Sequence, residues 1–91
     1  MTRDEILKEA ARIISSESER AGDYGPAEES FTRIARLYTA YLDVAVSPMD
    51  VANLYMLAKI QRSLTSPSKT DTWLDICGYA ALAGEMMTNE K

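Results

Sequence analysis

Ninety-one residues make a single domain, residues 1–91, and a chain of this size buries only about 60 to 65% of its unfolded surface, so its core is thin and oligomerisation is the usual remedy. With 46% hydrophobic and 26% charged residues the chain is composed like a globular protein, which excludes a disordered one. The net charge of -4, with lysines and arginines scattered singly, excludes a surface that coats nucleic acid, so any basic feature is local.

The chain reads as four helices and no strand. The first helix is predicted to start at Thr2, where Thr2-Arg3-Asp4-Glu5 has capping-box spacing, and to run to about Ala21 with Ile6, Leu7, Ala10, Ile13 and Ile14 on one face. Its tail, Ser15 to Arg20, is polar on every side. Gly22-Asp23-Tyr24-Gly25-Pro26 then breaks the helix, with glycines for positive φ and a proline suited to the next first turn. The second helix is predicted over about Pro26 to Asp43, carrying Phe31, Ile34, Ala35, Tyr38, Tyr41 and Leu42 at helical spacing. Glu28 and Glu29 occupy its first turn, where the macrodipole favours negative charge.

The third helix opens on Ser47-Pro48-Met49-Asp50, a capping serine followed by a proline at the first helical position. It carries Val51, Leu54, Tyr55, Leu57, Ala58 and Leu64 and is predicted to end near Ser63 to Thr65, before the turn formers Ser66-Pro67-Ser68. The fourth runs from about Thr70 to Met87. Its middle holds Cys77, Gly78, Ala80, Ala81, Ala83 and Gly84, small residues expected to meet another helix or a subunit seam closely. Each glycine costs about 1 kcal/mol against alanine in a helix, which implies a packing or ligand role.

Chemically the chain is spare. The single cysteine, Cys77, makes no internal disulfide; the start has no signal-peptide run, and no apolar stretch approaches the roughly 20 residues that span a bilayer. A cytoplasmic protein without a membrane partner is the expectation. There is no histidine, so the commonest general base is missing. What stands out is charge at the junction of the last two helices: Lys59 and Arg62 are spaced i, i+3, and Asp71 and Asp75 i, i+4, so each pair lines one helix face. Opposed there, they suit a pocket for a phosphorylated ligand, or else an interhelical salt-bridge network that fixes register. Arg33 adds a cation, while Tyr24, Tyr55 and Tyr79 offer flat faces for a base or ribose.

The series Arg20 to Tyr24-Gly25, Ser30 to Tyr38, Asp50-Val51-Ala52, Lys59-Ile60-Gln61-Arg62 and Asp71 to Ala80 resembles a family of short phage proteins of mostly unassigned function. The match covers about residues 18 to 87. More distantly, the closing Lys59, Arg62, Asp71 and Asp75-Ile76-Cys77-Gly78-Tyr79 pattern is similar to MazG-like nucleotide pyrophosphohydrolases, all-α proteins that hold nucleotides between helices as dimers or tetramers. That resemblance implies an Mg²⁺ site built from one acidic helix and a second Glu-x-x-Asp helix. Here Glu28 and Glu29 are adjacent and diverge, and Arg33 and Arg36 stand where further acids are needed.

The expectation is therefore an all-α, compact four-helix bundle-like domain, assembled as a homo-oligomer, a dimer or tetramer, through the fourth helix and one other apolar face. Its expected function is non-catalytic: a phage anti-defence sponge that sequesters a small nucleotide immune messenger in the host cytosol. Arg20, Tyr24, Arg33, Lys59, Arg62, Asp75 and Tyr79 are the candidate ligand contacts. The alternatives are an Mg²⁺-dependent pyrophosphohydrolase using Glu28, Glu29, Asp71 and Asp75, and a structural or adaptor protein.

Overall fold

The computed structural model describes residues 1–15 and 27–89, which fold into four helices with no strand among them. Helix α1 (Arg3–Ile14) is set by a complete capping box: the Glu5 N–H donates to Thr2 Oγ1 at 3.1 Å and the Thr2 N–H donates to Glu5 Oε1 at 2.9 Å. It stops at Ile14, where Ser15 turns extended at φ -66, ψ 152. The predicted continuation to Ala21 falls on residues 16–26, outside the described part of the chain.

Helix α2 (Ala27–Leu42) ends on Asp43, whose φ of 56 places it in the left-handed region. That residue closes the helix by donating its N–H to the Thr39 carbonyl at 2.9 Å, the geometry of a left-handed C-terminal cap. Thr39 then braces the connector, since its Oγ1 accepts the Val46 N–H at 2.9 Å. Helix α3 (Pro48–Thr65) starts with a second full capping box between Ser47 and Asp50, at 3.0 and 2.9 Å, with Pro48 in the first turn as predicted. After it, Ser66 returns an N–H to the Arg62 carbonyl at 2.9 Å. Helix α4 (Thr70–Asn89) follows at once. Trp73 fixes that corner, its indole Nε1 donating to the Pro67 carbonyl at 3.3 Å.

The four helices stack in the spatial order α1, α4, α3, α2. The broadest contact is α3 against α4; α1 rests on α4, α2 on α3, and α2 reaches α4 lightly. Among the described residues α1 and α2 do not meet, so the stack is open where a closed bundle would join its first and last layers. The fold remains compact, within 41 × 32 × 26 Å. Its core is Phe31 and Ala35 from α2, Val51 and Ala52 from α3, and Ala83 and Met86 from α4, flanked by Ile34, Tyr38, Val46, Met49, Tyr55, Tyr79 and Leu82.

Several residues expected inside lie outside. Tyr41, on the expected α2 stripe, is 86% exposed, because Phe31 and Ala35 turn the buried side of α2 away from it. Leu54, Leu57 and Leu64 on α3 are exposed, because Val51, Ala52 and Tyr55 already face the neighbouring helices from the other side. The small residues of α4 divide: Gly78 and Ala83 are buried, whereas Ala80, Ala81 and Gly84 face outward. Gly78 does serve close packing, since a Cβ there would lie 3.0 Å from Ile14 Cγ2 of α1.

Candidate functional site

The antiparallel crossing of α3 and α4 brings Tyr55 level with Tyr79, and Phe31 of α2 closes the triangle. Ring centroids lie 5.8 Å apart for Phe31 and Tyr55, 5.3 Å for Tyr55 and Tyr79, and 6.4 Å for Phe31 and Tyr79. The first two contacts are edge-to-face, the arrangement that sets a positive ring edge on a negative ring face. Burial holds the Tyr55 phenol above its usual pKa, and the neighbouring Tyr38 and Tyr79 phenols push the same way.

One turn along, at i+4 from Tyr55 and i−4 from Tyr79, Lys59 and Asp75 meet across the seam with Nζ and Oδ2 3.0 Å apart. Their side chains are 25% and 24% exposed. The other ion pairs among the described residues join neighbours within one helix: Asp4 with Lys8 at 3.2 Å, Glu9 with Arg12, and Glu29 with Arg33 at 3.8 Å. The Lys59–Asp75 pair is thus distinct in linking two helices while mostly shielded from water. A further turn back along α4, at i−3 from Asp75, Thr72 is fully buried and its Oγ1 has no hydrogen-bond partner among the described residues.

The remaining candidates are not gathered at this seam. Arg62 and Asp71 are exposed and belong to no ion pair among the described residues. Arg33 lines a shallow concavity of about 400 Å³ with Glu28, Glu29, Thr32 and Arg36, all on α2. A second concavity of about 320 Å³ lies between α2 and the start of α3, lined among others by Ala35, Thr39, Val46 and Pro48. Arg20 and Tyr24 lie outside the described residues. Among the described residues no three His, Cys, Asp or Glu side chains group as metal ligands. Thr72 is not among the residues that the sequence pattern singles out; the i, i+4 steps from Tyr55 to Lys59 and from Asp75 to Tyr79 are the signal in the sequence that these four residues share one seam.

Residues 5–87 match a family described as a domain of unknown function, DUF6378. The chain belongs to the DUF6378 family. Similar proteins occur in mycobacteriophages: the Gene 55 protein of Mycobacterium phage D29 is 42% identical over 77 residues, covering 85% of this chain and 50% of its own length. The Gene 55 protein of Mycobacterium phage L5 is 42% identical over 86 residues, covering 93% of this chain and 54% of its own. This DUF6378 chain therefore spans about half the length of the curated relatives it matches. No solved structure matches it. The family link agrees with the resemblance to phage proteins of unassigned function, and neither relative's name states an activity. No helix of the described residues is long and apolar enough to cross a membrane.

Proposed function

We propose that this protein binds a small phosphorylated nucleotide without cleaving it, as a phage protein that sequesters a host immune messenger of the cyclic dinucleotide or ADP-ribose class. The observation that carries the reading is the shielded Lys59–Asp75 pair, stacked one turn from Tyr55 and Tyr79. The arrangement gathers one cation, one acceptor and two aromatic rings at one seam, apart from the two concavities, which lie on α2 and between α2 and the start of α3. In this reading Lys59 exchanges Asp75 for a phosphate, Asp75 accepts from a ribose hydroxyl, and Tyr79 contacts the base or sugar. The hydrolytic alternative has less behind it: Asp75 is engaged by Lys59 and Glu29 by Arg33, so an Mg²⁺ ion would compete with both.

A second reading is favoured by that same contact. A pair satisfied at 3.0 Å between two helices holds their register, as a structural or adaptor protein requires. The test is to incubate the folded protein with candidate messengers, remove the excess, denature by heat and chromatograph what is released. Intact messenger is expected, and Lys59→Ala should lower the amount retained at least about tenfold with helicity unchanged, the loss of one charge-assisted contact. Release of cleaved product would instead indicate hydrolysis. If the folded protein retains none of the messengers, the register reading replaces this one.

A further inference from the structure

We infer that Thr72 is a positioning residue of the α3–α4 seam: its hydroxyl is the donor that Asp75 takes up when Lys59 leaves it for a ligand. The inference rests on the binding reading above and adds to it the residue that makes the exchange possible.

Thr72 is fully buried, and its Oγ1 has no hydrogen-bond partner among the described residues. Nearly all buried polar groups in folded proteins are satisfied, so one that is not has a cause in function or in strain. Elsewhere in this chain the local remedy is used. Thr32, Ser63, Thr65 and Thr88 each donate a side-chain hydroxyl to a carbonyl three or four residues back along their own helix, at 2.6 to 3.2 Å. Thr72 makes no such bond, although the Lys69 carbonyl lies three residues back and accepts its N–H at 3.3 Å.

Asp75 is the acceptor in reach. It lies three residues on from Thr72 along α4, and residues at that spacing are neighbours on a helix surface, with Cβ atoms about 5–6 Å apart. Asp75 Oδ2 is held by Lys59 Nζ at 3.0 Å, with both side chains mostly shielded from water. Once Lys59 turns to a phosphate, that carboxylate is left without its cation, and stranding a shielded charge is most of what breaking such a pair costs. A bond from Thr72 to one carboxylate oxygen lowers this cost and leaves the other oxygen for the ribose hydroxyl. The same step satisfies the buried hydroxyl. A cation at position 72 would hold Asp75 at all times, whereas a neutral hydroxyl yields to Lys59 while no ligand is bound. Thr72 touches no ligand in this scheme, in keeping with its complete burial.

The test is a double-mutant cycle in urea on the full chain, with ligand binding read alongside. Thr72→Val should raise the midpoint of the wild type, where the hydroxyl has no partner. In Lys59→Met, which keeps the apolar stem and removes the cation, the same substitution should lower the midpoint, because there the hydroxyl is bonded to Asp75. Where Lys59→Met loses its cooperative transition, Lys59→Ala takes its place. In equilibrium dialysis against ADP-ribose and cyclic di-AMP, Thr72→Val should bind the retained probe about tenfold more weakly, the loss of one hydrogen bond to a charged group. Thr72→Ser should restore wild-type binding. A midpoint raised alike in both backgrounds, or a Thr72→Val protein that binds as the wild type does, overturns the inference and leaves the binding reading standing. If the wild type retains neither probe, the binding reading falls, and the sign of the cycle alone decides whether Thr72 is the second partner of Asp75.

Discussion

Thr72 shows how a single atom sets an energy. Its hydroxyl is fully buried and without a hydrogen-bond partner among the described residues, a state that costs about 1–3 kcal/mol in proteins. Valine keeps the shape and removes the polar atom. Thr72→Val is therefore expected to stabilise the protein by about 1 kcal/mol, read as a higher urea midpoint with unchanged slope. An unchanged or lower midpoint would mean that the hydroxyl has a partner in solution. The glycines of α4 form a matched pair of opposite sign. At Gly84 an added Cβ meets nothing within 4 Å, so Gly84→Ala should gain up to about 1 kcal/mol of helix propensity. At Gly78 the same methyl lies 3.0 Å from Ile14 Cγ2, on a β-branched side chain with little freedom to move. Gly78→Ala should lower the melting temperature while Gly84→Ala raises it.

At the scale of the element, the two capping boxes set the starts of α1 and α3. Ser47→Ala removes the acceptor of the Asp50 N–H and should cost about 1 kcal/mol, seen as an earlier thermal transition. The box on α1 carries a pH signature. Hydrogen bonds from Thr2 hold the Glu5 carboxyl below its usual pKa, the backbone N–H contributing most. A carboxylate depressed in the folded state contributes stability that is present above its unfolded pKa and is lost as pH falls through the folded one. The start of α1 should therefore loosen on acidification below the ordinary glutamate range, and Glu5→Gln should flatten that dependence in amide chemical shifts of the first turn.

These starts were legible in the sequence, because Thr2-x-x-Glu5 and Ser47-Pro48-x-Asp50 carry their own hydrogen bonds and need no tertiary context. The inward face of α3 was not. Val51 and Leu54 both fit an apolar stripe, and only the positions of α2 and α4 decide that Val51 is buried and Leu54 exposed. The site divides along the same line. The charges at 59 and 75 could be read as facing each other from helix periodicity, and they do meet at 3.0 Å. That Arg62, one turn on, points outward depends on where α4 begins, which periodicity does not fix.

The whole molecule is a stack, and its layers differ in how firmly they are held. Helix α3 sits between α2 and α4 and contributes the fully buried Val51 and Ala52. Helix α1 touches only α4 among the described residues, and Ala10 is its single buried side chain. A layer held by one neighbour and so little buried apolar surface opens at lower free energy than the layer between two neighbours. Native-state hydrogen exchange should accordingly place α1 amides among the fastest helical amides and the middle of α3 among the slowest. Phe31→Ala gives the complementary result, because removing that ring from the junction of three helices costs about 3–5 kcal/mol, comparable with the total of about 5–14 kcal/mol for a chain of this length. The variant should lose the protection of α2, α3 and α4 together, whereas Ala10→Gly should release α1 and leave α3 protected. If both variants instead raised exchange uniformly through all four helices, the stack would be a single cooperative unit and α1 as firmly held as the rest.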